Sequence, residues 1–188
     1  MKQIATQFLK YTLTDALSGI AAYQYASHHS QHSLKDEKDK PILTTAGIVH
    51  ICPANKIALI ERGKAPKDTS MFGGHIEPKE APDEAFKREL KEELNISEIS
   101  SLNLIGVHGN YGHDPRQHSV EITYSCTTSQ IPFAGSDAKS VKLYDIKEVQ
   151  EKISTEPKSF VFDHGLILQK YLQSLGDCNP CNKKCNSR

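Results

Sequence analysis

Residues 73–96 read GGHIEPKEAPDEAFKRELKEELNI. The polar run from Pro82 to Leu94 has no internal Gly and no further Pro. Pro82 suits the first turn of a helix, where its missing N–H is not needed. Asp83 and Glu84 fall in that same turn, where the helix dipole favours acids. Phe86, Leu90 and Leu94 recur every fourth residue and form an apolar stripe. Glu89, Glu92 and Glu93 stand at i, i+3 and i+4, so three carboxylates share one face. At about 100° per residue, the stripe and the acids lie roughly a quarter-turn apart. The helix packs one face on a core and presents carboxylates on the next.

A solvated, charge-rich face is the competing reading, with Glu84 and Arg88 as an i, i+4 pair. Against it, Glu89 and Glu93 are like charges one turn apart and Glu92 crowds them. Each such pair costs about 0.2–0.5 kcal/mol unless something neutralises it. A hard divalent cation does so, because Mg²⁺ takes carboxylate oxygens and shares its shell with substrate phosphates. Asn95 follows the helix end, where a left-handed conformation is common and Asn is the usual substitute for Gly.

Upstream, AGIVHIC (46–52) and KIALIER (56–62) are short apolar runs joined by Pro53-Ala54-Asn55, the pattern of a hairpin. The loop GKAPKDTS follows. Downstream, SLNLIGVHG (101–109) and SVEITYSCT (119–127) read as strands, and VKLYDIKEV (141–149) as a short strand and a turn of helix. DHGLILQKYLQSL (163–175) reads as an amphipathic helix with Asp163 at its N-cap and Leu166, Ile167, Lys170 and Leu175 near one side. Strands between helices predict an α/β fold with a mixed sheet.

The predicted core domain spans 41–176. Residues 1–40 form an extension in which positions 4–25 have helical apolar spacing, suited to packing and to a possible homodimer. SHHSQHSLKDEKDK (27–40) reads as a polar linker, with His28, His29 and His32 as solvated side chains rather than metal ligands.

The chain has 188 residues, with 23 basic and 23 acidic side chains, so no global field points to nucleic acid or membrane. No apolar stretch approaches the ~20 residues of a membrane span. The N-terminus, interrupted by Lys10 and Asp15, does not read as a signal peptide, which leaves the cytoplasm as the default. Of five cysteines, Cys52 and Cys126 read as buried free thiols. Cys178, Cys181 and Cys185 sit in a polar tail, 177–188, with Cys-x2-Cys-x3-Cys spacing. Three thiols hold zinc only with a borrowed fourth ligand, and no fourth is nearby in sequence. The tail is therefore expected to be disordered and dispensable.

The 73–96 run resembles the signature of the Nudix hydrolases. Gly74, Glu80, Arg88, Glu89, Leu90, Glu92, Glu93 and Ile96 match in order and spacing. Asn95 replaces the family's Gly, and Phe72 stands where relatives often carry Pro. YGHDPRQHSVEITY (111–124), FAGSDAKSVKLYDIKEV (133–149) and SFVFDHGLILQKYL (159–172) are similar to segments of the family's ADP-ribose pyrophosphatases. The likeness covers roughly residues 43–175.

The resemblance implies a Nudix-type α/β/α sandwich and hydrolysis of ADP-ribose to AMP and ribose 5-phosphate. It implies Mg²⁺ or Mn²⁺ on Glu89, Glu92 and Glu93, with the Gly74 carbonyl as a further ligand. Arg88 and Glu80 would orient the acidic helix by a salt bridge. The general base is a box glutamate or a later acid, with Glu121 and Asp137 as candidates. Arg62, Asp114, Arg116 and His118 are the candidate substrate-binding residues. As a planar donor, Arg116 suits phosphate, although Asp114 and Arg116 can equally pin their own loop. His118 either faces the site or begins a strand, and His164 reads as structural. The expected partner is a small nucleotide substrate, with no nucleic acid and no membrane. The alternatives are cleansing of oxidised nucleoside triphosphates and a non-catalytic sensor of ADP-ribose-like ligands.

Overall fold

Strand β1 (Ile42–Ile51) organises the sheet. It runs parallel to β6 (Ser119–Thr128) along its whole length. On its other edge it pairs antiparallel with β2 (Lys56–Arg62) near its end and with β4 (Phe72–His75) near its start. Strand β2 also carries β3 (Thr69–Ser70) and β7 (Ala138–Asp145), and β5 (Ser101–His108) pairs antiparallel with β6. The computed structural model describes residues 40–181 apart from 53, 67, 136, 137 and 177, and of residues 138 and 139 the backbone only. The expected helix at 4–25, the histidine-containing linker, Asp137 and Cys185 lie outside the described residues.

The period-two alternation of β1 and β2 divides the core. Ala46, Ile48, Ile57 and Leu59 face one side. There they meet Val149 and Ile153 of α2 (Ile146–Thr155) and Ile167, Leu168, Tyr171 and Leu172 of α3 (His164–Leu175). Val49, Ile51, Ala58 and Ile60 face the other side, against Phe86, Leu90 and Leu94 of α1 (Pro82–Leu94). A mixed sheet between helices results, the α/β/α sandwich that the pattern predicts.

Helix α1 begins and ends as its sequence requires. Glu84 accepts the Ala81 N–H at 3.1 Å. Phe86 packs edge-on against Phe72 and Tyr124, with centroids 5.0 and 5.4 Å away. Phe72 thus fills the core beneath α1. Asn95 is left-handed, at φ 54° and ψ 35°. The N–H groups of Asn95 and Ile96 bond back to Lys91 and Leu90.

Three readings change. The turn of helix after β7 is a ten-residue helix, capped by Glu148 accepting the Asp145 N–H at 2.7 Å. On α3 the buried face is Ile167, Leu168, Tyr171 and Leu172, whereas Leu166 is 59% exposed. Asp163 stands at the N-cap of α3 but makes no side-chain cap bond.

The thiols differ as well. Cys126 is buried and free, but Cys52 is not free: it forms a disulfide with Cys181, 129 residues away. The bond draws the start of the tail onto the β1–β2 turn. Residues 178–181 are held further by Cys178 N–H to the Leu175 carbonyl and Cys181 N–H to Asn179 Oδ1, both 2.9 Å. Composition supplied no core for this segment, and the covalent tie to the hairpin supplies its order instead. Among the described residues, no helix is long and apolar enough to cross a membrane.

Candidate active site

Strand β4 lies beside β1 and brings Gly73 and Gly74 against α1. A Cβ on Gly74 would push the Glu89 carboxylate aside, and one on Gly73 would strike the β1 backbone at Thr45. Glu93 accepts the Gly73 N–H at 3.1 Å. Glu89 and Glu93 are buried, at 9% and 8% exposure, while the Glu92 side chain stands half in solvent.

Arg88 organises the carboxylates. It forks onto Glu80 at 2.8 and 2.9 Å, reaches Glu89 at 2.7 Å and Glu92 at 3.4 Å, and donates to the His75 carbonyl. The Glu84–Arg88 pair does not form, because Glu84 is spent on the helix N-terminus. Hydrogen bonds from Arg88, aided by the Glu77 N–H, pull Glu80 down to about 2. Glu89 moves the other way. Burial raises its pKa and the Glu92 and Glu80 charges add to this, outweighing Arg88.

Gly73, Gly74, Arg88, Glu89, Glu92 and Glu93 border a cleft of about 370 Å³, within the range of small-molecule sites. The cleft also takes in Arg62, Lys64, Asp114, Arg116 and Phe162. Arg116 is forked onto Asp114, with Nε at 2.9 Å from Oδ1 and Nη2 at 2.6 Å from Oδ2. The guanidiniums of Arg62 and Arg116 lie 5.7 and 5.1 Å from the Phe162 ring centroid. Phe162 has φ 53°, a left-handed backbone that is strained for an aromatic residue. His118 does not line the cleft: its ring sits 3.3 Å from the Gly109 carbonyl and near Tyr111. Glu80 does not line it either and is paired with Arg88.

The NUDIX domain model matches residues 41–164. This chain belongs to the Nudix family. The chain is 32% identical over 137 residues to an ADP-ribose pyrophosphatase of Methanocaldococcus jannaschii, covering 71% of this chain and 74% of that protein. Its fold is similar to the NUDIX domain of Shewanella oneidensis NrtR complexed with ADP ribose, with TM-score 0.64, 20% identity and 78% and 97% of the two chains covered. It is also similar to a bifunctional NMN adenylyltransferase/ADP ribose pyrophosphatase of Francisella tularensis complexed with AMP and a Mn ion. There the TM-score is 0.63 at 20% identity, covering 84% of this chain and 48% of that one. The family makes this chain a hydrolase of pyrophosphate bonds.

One wall of the Nudix cleft is a buried polar network of His113, Glu121 and His164, of which the sequence shows only pieces. Glu121 of β6 accepts from Thr123 Oγ1 at 3.1 Å and meets His164 Nε2 at 3.2 Å and His113 Nε2 at 3.6 Å. His113 Nδ1 pairs with Asp163, which explains why Asp163 leaves the α3 cap unused. The Met71 N–H donates to His164 Nδ1 at 3.1 Å. That nitrogen is therefore an acceptor, and Nε2 carries the proton toward Glu121. Hydrogen bonds to Asp163 and Glu121 push His113 up to about 10 despite its burial. Burial alone would raise Glu121, but the two imidazoles outweigh it and hold the carboxylate well below its usual range. Glu121, a candidate base from sequence, has both oxygens engaged and anchors β6 to α3.

Proposed function

We propose that this Nudix domain hydrolyses the diphosphate linkage of a nucleoside diphosphate derivative, foremost ADP-ribose, to AMP and ribose 5-phosphate. The observation that carries this reading is the pairing of opposite chemistries across one cleft. Glu89, Glu92 and Glu93 line one part, and the guanidiniums of Arg62 and Arg116 line another. A diphosphate presents anionic oxygens to both. Guanidinium groups bind such oxygens directly, whereas carboxylates accept them only through a cation.

The donor set fits Mg²⁺ or Mn²⁺, because every candidate ligand is an oxygen: Glu89, Glu92, Glu93 and the Gly74 carbonyl. A Cβ added at Gly74 would meet the Glu89 carboxylate, so the β4 backbone passes close to the acids at this point. Bound there, such an ion would supply charge neutralisation for the diphosphate and a more acidic water. Arg88, itself held by Glu80, fixes the orientation of Glu89. Burial raises the pKa of Glu89, and a carboxylate of this face or a later acid takes the proton of the attacking water. Phe162 steadies Arg62 and Arg116 over its ring, which costs the chain a left-handed backbone at that position. The M. jannaschii relative, named an ADP-ribose pyrophosphatase, supports the choice of substrate.

Specificity constants for ADP-ribose, nucleotide sugars, dinucleotides and nucleoside triphosphates, measured side by side with Mg²⁺, test the assignment. ADP-ribose should exceed every triphosphate by at least about tenfold, or ~1.4 kcal/mol. A preference for an oxidised guanosine triphosphate would move the chain to nucleotide cleansing. Binding of ADP-ribose without turnover would make it a sensor.

A further inference from the structure

We infer that His113 is a positioning residue for substrate binding: its side chain clamps the β5–β6 loop to the domain and so sets where Arg116 stands in the cleft. The inference rests on the diphosphate reading above, in which Arg116 grips a phosphate.

Arg116 belongs to a loop, 109–118, that forms neither strand nor helix. Strands β5 and β6 fix its two ends, and the Ile42 N–H donates to the His118 carbonyl at 3.0 Å. Between those ends the loop is polar and open to solvent. Tyr111 is 93% exposed, and Gly112 has φ 94°, a backbone suited to glycine. His113 and Asp114 are the two residues of this stretch that are buried. Their tasks differ. Asp114 accepts from the Arg116 backbone N–H and Nε at 2.9 Å and from Nη2 at 2.6 Å. Those bonds fix the arginine relative to the loop, but they do not locate the loop on the domain.

His113 does that. Its Nδ1 pairs with Asp163 at the head of α3, and its Nε2 stands 3.6 Å from Glu121 on β6. An imidazolium donates from both nitrogens, so one side chain serves acids on two elements. Asp163 and then Glu121 hold it in that form. The same clamp sets what lies against the guanidinium. Phe162 directly precedes Asp163, and its ring centroid is 5.1 Å from the Arg116 guanidinium and 6.0 Å from the His113 ring. Through Asp163, His113 places the ring. Through Asp114, it places the charge that rests on that ring. A guanidinium holds the diphosphate before and during bond cleavage, so its misplacement raises KM and spares kcat.

The test is a double-mutant cycle, with KM and kcat measured on ADP-ribose in Mg²⁺. The Arg116 side chain is 49% exposed, so Arg116→Ala should fold normally. It should raise KM by about thirtyfold, as befits a lost charge-assisted contact. His113→Gln keeps one donor and loses the bridge, and it should raise KM by about tenfold with kcat within about threefold of wild type. In the Arg116→Ala background the same change should add less than about twofold, because His113 acts through Arg116. If His113→Gln does not fold, Asp163→Ala takes its place in the cycle. Asp163 is partly exposed and makes no side-chain cap bond on α3, and its loss releases His113 Nδ1. Effects that multiply in the double variant would overturn the inference, as would a single-variant KM within about twofold of wild type. If wild type leaves ADP-ribose intact, the cycle is run on its best-cleaved nucleotide sugar or dinucleotide. A wild type that cleaves no diphosphate overturns the diphosphate reading itself, and this inference with it.

Discussion

Glu93→Gln is expected to lower turnover by about a thousandfold, equivalent to ~4 kcal/mol of transition-state stabilisation. Glu93 is buried, faces the cleft beside Glu89 and accepts the Gly73 N–H at 3.1 Å. Glutamine has the same shape, and its carbonyl oxygen can keep that hydrogen bond. What it removes is the charge, and with it the affinity for a hard cation. The melting temperature should therefore stay within a few degrees of wild type while kcat collapses. Steady-state rates and a thermal melt on the same preparation check both halves. A variant with normal turnover would remove the carboxylate face from the mechanism.

Glu121→Gln should act in the opposite sense, on the fold more than on the chemistry. Glu121 is buried between His113 and His164. A glutamine there leaves the His113 imidazolium with Asp163 alone. Removing one partner of a buried ion pair costs about 3–5 kcal/mol. At roughly 2–4 °C per kcal/mol for a domain of this size, the melting temperature should fall by about 10 °C.

The pH dependence gives a second reading of the same network. His113 is raised from an ordinary 6.5 to about 10 in the folded chain. Its contribution is complete below the unfolded value and is lost as pH rises through about 10. Wild type should therefore lose melting temperature steadily between pH 7 and 10, and Glu121→Gln should show a shallower slope. Melting curves across that range decide. A variant within about 1 kcal/mol of wild type would mean the network is not the anchor described here.

What was legible in the sequence was local. Pro82, the Phe86/Leu90/Leu94 stripe and Asn95 fixed α1 at both ends, since each acts within a turn or two of its own position. The β1–β2 hairpin was legible for the same reason. Strand β4 was not, because four residues that include Gly73 and Gly74 carry no period. The pairing of Arg88 with Glu80 rather than Glu84 follows from a competition, in which the helix N-terminus takes Glu84.

Features that join segments far apart in the chain were beyond reach. Glu121 meets His164 across 43 positions and Cys52 meets Cys181 across 129. Cysteine connectivity does not follow from spacing alone. Phe162 had no signal either, since nothing in a single sequence marks an aromatic residue held at positive φ. The sequence leaves His118 open between facing the site and beginning a strand, and its ring lies against the Gly109 carbonyl.

The central claim is that the carboxylates of α1 serve a metal-dependent cleavage of a diphosphate. The most direct measurement is product analysis of ADP-ribose incubated with the purified chain in Mg²⁺, in EDTA, and in EDTA followed by excess Mg²⁺. The account predicts AMP and ribose 5-phosphate in equal amounts with Mg²⁺, neither in EDTA, and both again on restoring the ion. Undiminished hydrolysis in EDTA would contradict it.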